Sequence, residues 1–547
     1  MKHMYKFLFN VIALVILGIQ LVNGQSNTYT QKVFMPSPSA SEIIKYGNYP
    51  VSLSSGLPQI GIPLLTANSG KLALDVSLSY HSSGTKIKEK ASVVGLGWSL
   101  NAGGAVTRVV HGLADEKRGF NWANQATMKT FTDELDTAVP DIYNGDLIPP
   151  ISPPLWVSPW EPWCTACNWA IQGYEDWQPD EFSFSAGNIS GSFIFDQNMK
   201  PLLIDGTEPY EIIFNSNFSE IIITDKSGNK YYFGGSEEYL EGTGINATGI
   251  ADFSYISGWQ LKKIESFDTK DVIEFFYESF GGYENDLNVS MSVLIFDYAS
   301  TNPLSQTREP FTLLPTAWSP FGRTYQSKRV SKITFDGANI QFVYASRSDN
   351  DTYNSEARRL SNIKLYRGQT QTDLIKHIEL LPSYTAISSY PISGTRCSSY
   401  TKNYQSRLLL DKLRIYGSGS SSPVGEVYSF SYNTTPIPSY ESSAQDHWGY
   451  YNGKLNNDCP GGDLGLIPRY NYFPNVTNSP GILGYGDRSV ATAFAKAGVL
   501  EKITYPTGGY STFEYESNKV IFTGDLLGGL RISQITSTTS ASDPNLL

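Results

Sequence analysis

One repeated pattern constrains the fold of this chain more than any other feature. A Lys-Ile pair, a polar turn and a Phe-x-Tyr ending recur at residues 262–277, 331–344 and 501–515. Apolar alternation on both sides of a turn such as Asp336-Gly337 predicts β-hairpins. A single hairpin buries too little apolar surface to be stable, so these units are predicted to join a large antiparallel sheet.

Other segments extend the same pattern. Residues 219–235 predict a further hairpin, and a looser copy runs from "LDKLRIYG" to Tyr432. The segment 71–80 predicts a half-buried strand, with "IGIPLL" before it as a partner, because apolar residues recur at every second position: Leu72, Leu74, Val76, Leu78 and Tyr80. Helical periodicity is scarce. We therefore expect an all-β fold built from consecutive hairpins in large antiparallel sheets, with little helix.

Composition supports sheet structure and limits the partners. Charged residues make up 17% of the chain, against about 25% in an ordinary soluble domain. The 35 tyrosines and 27 phenylalanines are typical of strands. A net charge of −11 argues against nucleic acid and anionic lipid as partners, because either would need a basic surface.

The amino terminus has the pattern of an export signal. Lys2 and Lys6 precede an apolar run that ends at the small residue Gly24. Residues 1–24 are therefore predicted to be a signal peptide. No later segment reaches the ~20 apolar residues that a membrane span needs, so we expect a secreted or cell-surface protein without a membrane span.

The glycine-rich segment Ser92–Val106, "SVVGLGWSLNAGGAV", has two interpretations. A dinucleotide-binding loop needs a third glycine and a following helix, but Leu100 stands at that place and a β-branched stretch follows. We therefore interpret the segment as a β-hairpin in which Gly95 and Gly97 let backbones approach closely. Trp98 is then predicted to be a packing anchor.

Residues 121–178 differ from the rest in being rich in proline and tryptophan. They are interpreted as a long loop or insertion. Trp156 and Trp160 could stack on sugars or pack the loop onto the body, and packing is favoured because large aromatic side chains are mostly buried.

Four cysteines leave three disulfide connectivities open: Cys164, Cys167, Cys397 and Cys459. Cys164 and Cys167 form a Cys-x-x-Cys pair, but the prolines before them exclude the core strand that precedes a thioredoxin-type motif. The spacing of the other two does not favour zinc. In an exported chain, structural disulfides are the favoured interpretation.

Catalytic signatures are weak. The sequence has no G-x-S-x-G elbow and no H-E-x-x-H motif. Asp446 and His447 could be half of an acid-base pair, but Trp448 and Gly449 follow directly, which favours a structural corner. The sequence nominates no catalytic, cofactor-binding or metal-ligating residue.

Several motifs together resemble a known family. They are "YPVSLSSGLPQIGIPLL", "LDVSLSYHSSG", "GLGWSLNAGGAVTRVVHG", "PDEFSFSAGNISGSFIFD", "GWQLKKIES", "DHWGYYNG", "ITYPTGGYSTFEYE" and "GGLRI". In this order they resemble the SpvB-type amino-terminal region of exported Rhs/YD-repeat proteins, of the kind found in Bacteroidetes. The structural motif residues of the resemblance are Gly95, Gly97, Trp98, Trp448, Gly449, Gly508 and Gly509.

The resemblance implies a β-strip that winds into a shell around a carboxy-terminal cargo, in proteins of toxin delivery, cell competition or surface interaction. This sequence has no YD repeats and no Rhs core, so we expect an open fragment of such a strip. The expected division is residues 25–120 as the leading β segment, 121–178 as the insertion, 179–440 as a hairpin-rich body and 441–547 as a last segment truncated at its end.

Two functions follow as hypotheses, and an enzymatic role, as a hydrolase or linked to ADP-ribosyltransferase activity, is disfavoured. The first is a non-enzymatic exported scaffold that works with a protein partner or with a carboxy-terminal Rhs part. The alternative is a glycan-binding or adhesive module that uses exposed Trp and Tyr. Neither hypothesis requires a cofactor.

Overall fold

Two ranges, Met1–Tyr46 and Gly47–Leu547, form separate units in the computed structural model of the chain. All described residues belong to the second unit: 49–111, 114, 179–196, 200–205, 208–215, 217–246, 255–286, 321–349, 357–386, 389–394, 397–418, 425–458, 466, 470–472, 481–483 and 486–539. The predicted signal peptide and the 121–178 insertion lie outside them, as do Trp156, Trp160, Cys164, Cys167 and Cys459. Of the four cysteines, Cys397 alone is described, as the first residue of a strand.

Strands account for nearly all regular structure of the described residues. They are β1 Ile60–Ser69, β2 Leu72–Tyr80, β3 Trp98–Asn101, β4 Gly104–Val109, β5 Glu181–Ala186, β6 Ile189–Phe195, β7 Pro201–Asp205, β8 Glu211–Phe214, β9 Glu220–Thr224, β10 Lys230–Gly234, β11 Leu240–Asn246, β12 Tyr255–Glu265, β13 Val272–Asp286, β14 Phe321–Phe335, β15 Ala338–Ser346, β16 Arg358–Arg367, β17 Asp373–Tyr384, β18 Ser389–Gly394, β19 Cys397–Asn403, β20 Leu408–Tyr416, β21 Glu426–Tyr432, β22 Tyr470–Tyr472, β23 Gly481–Leu483, β24 Leu500–Thr504, β25 Tyr510–Lys519 and β26 Leu526–Thr538. Helix is limited to one turn, α1 Thr492–Ala495, and two short 3-10 segments, Glu237–Tyr239 and Leu455–Asp458. In this part of the chain, no helix has the length and apolarity that crossing a bilayer requires.

The strands form one large network and three small sheets. Strands β4 to β17, β20, β21 and β24 to β26 belong to a single hydrogen-bonded network, and β1, β2 and β3 form a separate three-stranded sheet. Strands β18 and β19 pair with each other, as do β22 and β23. Every ladder between the described strands is antiparallel. The predicted all-β fold with large antiparallel sheets and little helix is confirmed.

The hairpins predicted from the repeated pattern are present. Strands β12 and β13, β14 and β15, and β24 and β25 pair as consecutive neighbours. The looser copies pair as β9 with β10 and β20 with β21. The predicted strand at 71–80 is β2, which pairs with β1 and buries the five predicted positions. Local alternation was sufficient here because each hairpin joins neighbours in sequence.

The predicted hairpin at Ser92–Val106 is wrong. Strand β3 pairs with β2, placing Trp98 opposite Tyr80. Strand β4 instead pairs with β5 on one side and with β12 on the other. Two neighbours bury Val106 completely, which pairing with the four-residue β3 alone would not achieve. Residues 102–103 therefore carry the chain from one sheet into another.

Strand β12 is the strand of the large network that joins four other strands. It pairs with β4, β10, β11 and β13 along different parts of its length. Trp259 at its centre is fully buried, and its Nε1 donates a hydrogen bond to the carbonyl of Phe218 at 2.5 Å. The Phe182 ring packs 5.7 Å from Trp259 and stacks on Phe193 at 5.1 Å. This aromatic cluster packs β5 and β6 against β12.

A buried ion pair supports the same region. Arg108 on β4 contacts Asp180, which directly precedes β5, and both side chains are completely buried. The Arg108 Nε donates to Asp180 Oδ2 at 2.6 Å. Asp180 Oδ1 also accepts from the amide of His111 at 3.0 Å, and the Arg108 guanidinium lies 5.3 Å from the Phe182 ring centre. The pair thus fixes the start of β5 against β4.

Breaking this pair should destabilise the fold more than removing it. Asp180→Asn leaves a buried guanidinium without its charge partner, so we expect the free energy of unfolding to fall by about 3–5 kcal/mol. The double variant Arg108→Met/Asp180→Leu should recover most of that loss, as measured by urea denaturation. Lys71→Ala breaks the partly exposed Lys71–Asp268 pair and should move the midpoint much less than Asp180→Asn does. A double variant no more stable than the single one would contradict the prediction.

Candidate functional site

The residues between β2 and β3, numbers 81–97, form a partly buried loop that we call the connector. It contains no strand of its own, yet its backbone bonds to strands that are distant in sequence. The amide of Leu96 donates to the carbonyl of Leu408 on β20 at 2.8 Å, and the amide of Leu360 on β16 donates to Val93 at 2.7 Å. The connector therefore ties the three-stranded sheet to the large network.

Its first half contacts the last part of the chain. The Thr85 amide donates to the carbonyl of Ala495 in α1 at 3.0 Å, and the Thr85 carbonyl accepts from the Tyr451 amide at 3.0 Å. The amide of Leu530 on β26 donates to Ser83 at 2.8 Å. These contacts join the connector to α1, to β26 and to residues 446–453, which we call the aromatic loop.

The two glycines of the "GLGW" segment lie where the connector is most tightly enclosed. A Cβ atom on Gly95 would lie 3.0 Å from the amide nitrogen of Leu410 and 3.2 Å from the carbonyl carbon of Leu409. Gly97 has φ +74°, and a Cβ there would lie 2.6 Å from the Tyr80 ring. Close packing against backbone and ring, rather than phosphate binding, accounts for both glycines.

Trp98 follows as the first residue of β3 and is 1% exposed. Its Nε1 donates to the Tyr432 hydroxyl at 2.8 Å, and that hydroxyl donates to the carbonyl of Leu410 at 2.7 Å. The indole packs against the rings of Tyr80 and Phe430, each at 5.1 Å. Burial raises the pKa of Tyr432 well above its ordinary value, so this hydroxyl stays protonated and keeps its donor role.

Two arginines donate hydrogen bonds to carbonyl groups of the connector. Arg407 is fully buried, and its Nη2 donates to the carbonyls of Ile87 and Pro438, each at 3.3 Å. Its guanidinium stacks 3.3 Å from the ring centre of Tyr440. Burial lowers the pKa of Arg407 to about 10, so the group remains charged at neutral pH. Arg347 Nη1 donates to the carbonyls of Ala91 and Ser92, at 3.2 and 3.1 Å.

Asp349 orients Arg347. It accepts from Arg347 Nε at 2.7 Å and Nη2 at 2.8 Å. Its Oδ2 also accepts from the Leu408 amide at 2.6 Å, so one carboxylate fixes both Arg347 and the strand that the connector contacts.

The aromatic loop is shaped by Asp446. The Asp446 Oδ1 accepts from the amides of Trp448 and Tyr450 at 2.8 and 3.0 Å. Arg488 Nε donates to the Asp446 carbonyl at 3.0 Å, and Gly449 has φ +88°. The carboxylate therefore builds the turn, as expected of a structural corner.

Trp448 projects from that corner onto the last hairpin. Its indole lies over Gly528 of β26, where a Cβ atom would come within 2.8 Å of it, and it remains 47% exposed. Gly508 and Gly509 form the β24–β25 turn, where Gly509 approaches the carbonyl of Thr538 at the end of β26. The motif glycines and tryptophans thus lie around the connector, the aromatic loop and β26.

Sequence reasoning missed the polar residues that hold the connector. Residues 81–91 carry no periodic signal, and Arg347, Asp349 and Arg407 stand in segments with no motif. Arg407 directly precedes three leucines, and a charge beside so apolar a run was the one available signal of a buried arginine.

The chemistry of the described residues is that of hydrogen-bonded packing. His377 bonds to Asn362 Oδ1 at 2.7 Å and stacks on Tyr416, and burial lowers its pKa. Two polar clefts of about 350 and 530 Å³ lie on either side of the Gly187–Asn188 turn. No group of three or more His, Cys, Asp or Glu residues in the described ranges is placed to hold a metal ion.

Solved structures similar to this chain include two from bacterial effector and toxin proteins. The N-terminal domain of the effector protein SpvB from Salmonella typhimurium strain LT2 has 12% identity and a TM-score of 0.25, over 70% of this chain and 96% of that domain. A chain of the Tc holotoxin pore of Photorhabdus luminescens has 10% identity and a TM-score of 0.31, over 90% of this chain and 19% of that one. No family model and no curated protein sequence matches. Both TM-scores lie below 0.5, so neither similarity describes a common arrangement of all strands.

Replacing Trp98 should destabilise the whole chain. Trp98→Ala empties the space between Tyr80 and Phe430, and we expect the free energy of unfolding to fall by about 3–5 kcal/mol. Trp98→Phe keeps a ring but loses the bond to Tyr432 and part of the indole volume, so it should cost less, about 1–3 kcal/mol. Denaturation curves of purified protein measure both, and a fully stable Trp98→Ala variant would contradict the anchor role.

The pH dependence of stability should reveal the cost of charging Asp446. Burial raises the pKa of Asp446 above its ordinary value of 3.8, so the folded state binds this proton more tightly than the unfolded state does. The wild type should therefore lose stability relative to Asp446→Asn as the pH rises from below about 3.8 to neutral. Urea denaturation across this range measures the slope.

Asp268 provides the opposite control. The hydrogen bond from Lys71 lowers the pKa of Asp268 to about 2, so the wild type should gain stability relative to Asp268→Asn as the pH rises through the same range. Two slopes of the same sign would refute the assignment for Asp446.

Proposed function

We propose that this chain is a non-enzymatic exported scaffold module of the SpvB-type Rhs kind, which works with a protein partner. The proposed partner class is a carboxy-terminal Rhs part with its toxic cargo. The observation that carries the proposal is the outer edge of β26, whose ladder within the described ranges is with β25 alone.

The outer edge of β26 is covered along only part of its length. Leu530 donates its amide to Ser83, and Ile532 donates its amide to Gly56 at 2.9 Å. From Gln534 to Thr538, the ladder recorded for the strand within the described ranges is the one with β25. An antiparallel strand with one open side is a template for a further strand.

The use of charged groups around the connector supports a scaffold rather than an enzyme. Arg347 and Arg407 bond to backbone carbonyls, and the carboxylates of Asp349 and Asp446 accept from backbone amides. A catalytic group must keep an atom available to its substrate, whereas these groups are engaged in holding loops. The sequence resemblance supports the same conclusion, because three of its motif residues, Gly95, Gly97 and Trp98, lie in or directly beside the connector.

Lysines on the open edge should prevent partner binding without unfolding the chain. The change Gln534→Lys/Thr536→Lys puts two charges where an added strand would lie, as natural edge strands do to prevent pairing. Wild-type chain and an Rhs/YD-repeat segment from the same organism are expected to co-elute in size-exclusion chromatography, and the variant should not bind. Thermal unfolding confirms that the variant is folded.

A matched control puts the same two lysines on paired strands. Thr107 on β4 and Ser185 on β5 are exposed, and each of these residues is paired with a strand on both sides. Thr107→Lys/Ser185→Lys should bind the Rhs segment like the wild type. Failure of the wild type to bind the Rhs segment, or an equal loss of binding in both double variants, would refute the proposal that the edge of β26 is the binding site. Saturable glycan binding that Trp156→Ala or Trp160→Ala abolishes would favour the adhesive function instead.

A further inference from the structure

The turn between β25 and β26 exposes an unusual amount of apolar surface. We call residues 520–527, "VIFTGDLL", the apolar tip. Ile521 is 92% exposed and Phe522 is 96% exposed, and Leu526 beside them is 41% exposed. Single exposed apolar side chains are ordinary, but adjacent large ones at the end of a hairpin mark an interaction surface.

The backbone of the apolar tip is closed upon itself. The Val520 amide donates to the carbonyl of Asp525, and the Gly524 amide donates to the carbonyl of Val520, both at 2.9 Å. The Asp525 amide donates to Thr523 Oγ1 at 3.3 Å. These three bonds close the turn within the tip itself, so its shape does not depend on a partner.

Trp448 extends the apolar surface along β26. Its half-exposed indole lies over Gly528, two residues beyond Leu526, which is about 7 Å along a strand. Tryptophan is the side chain that prefers the boundary between hydrocarbon and water. Ile521 and Phe522 project at the end of the hairpin, and the indole lies behind them. In this order the apolar side chains reach the hydrocarbon and the indole stays at the boundary with water.

Charge around the apolar tip is balanced. Lys519 and Arg531 both pair with Glu516, and Asp525 is the acidic residue of the tip itself. Two positive and two negative groups leave no net charge. A protein surface without net charge suits lipid headgroups without net charge. Anionic lipid would instead require a basic surface, which the net charge of −11 does not favour.

We propose that the apolar tip docks in the interface of a bilayer of zwitterionic lipid. Ile521 and Phe522 enter the acyl boundary, and Trp448 stays among the headgroups. A convex tip needs no preformed pocket in its partner, which a fluid interface provides. The site is separate from the proposed partner edge, since Leu526 and Gln534 are about 27 Å apart along β26.

Vesicle flotation tests the proposal with the full exported chain. The wild type should float with phosphatidylcholine vesicles, and Ile521→Ser/Phe522→Ser should reduce the partition coefficient about tenfold or more, because two buried apolar side chains are lost. Leu202→Ser/Ile204→Ser is the matched control, since these residues of β7 are 46% and 52% exposed. It should float like the wild type.

Further measurements separate zwitterionic lipid from anionic lipid, from a second copy of the chain and from the partner edge. Stronger binding to phosphatidylglycerol than to phosphatidylcholine, absence of wild-type binding, or equal loss in both serine variants would overturn the proposal. Sedimentation velocity without lipid must show no self-association that the tip variant removes, because that result would assign the tip to a second copy of the chain. Gln534→Lys/Thr536→Lys should float normally, so failure at the partner edge is distinguishable from failure at the tip.

Discussion

The structure depends on the hydrogen bonds that the connector makes with strands far away in sequence. A loop without its own ladder can be buried only if other groups satisfy its amides and carbonyls. Here Leu408, Leu360 and Leu530 supply backbone partners, and Arg347 and Arg407 supply side-chain donors. The three-stranded sheet, the aromatic loop and the last hairpin are joined through this one segment.

The two arginines show how polar groups can serve a core that is otherwise apolar. A buried guanidinium is costly unless its donors are used. Arg407 bonds to carbonyls and stacks on Tyr440, while Asp349 neutralises Arg347 beside it. Apolar residues could fill the same volume, but they could not bond to carbonyls of a non-repetitive loop. The need to satisfy backbone groups therefore explains why charge is found at this depth.

What the sequence could predict follows from how local each interaction is. The hairpins were predictable because strand, turn and return strand are adjacent, and the faces of β2 follow from its alternation. The pairing of β3 and β4 was predicted wrongly, since adjacency does not reveal that β5 and β12 are better partners. Trp98 was expected to anchor packing, yet its partner Tyr432 lies 334 residues away and no local pattern indicates it. The connector's arginines could not be assigned for the same reason.

The sequence distance across the connector also sets the order in which the chain can fold. Arg407 bonds to a residue 320 positions before it, and the Leu500 amide bonds to the Tyr80 hydroxyl across 420 positions. The β1–β3 sheet can form its own ladders early, but it cannot bury its connector until nearly the whole chain is present. Contacts between residues so far apart in sequence make folding slow. A chain that cannot bury this loop before its last strands are present leaves the loop's amides and carbonyls in water until late in folding.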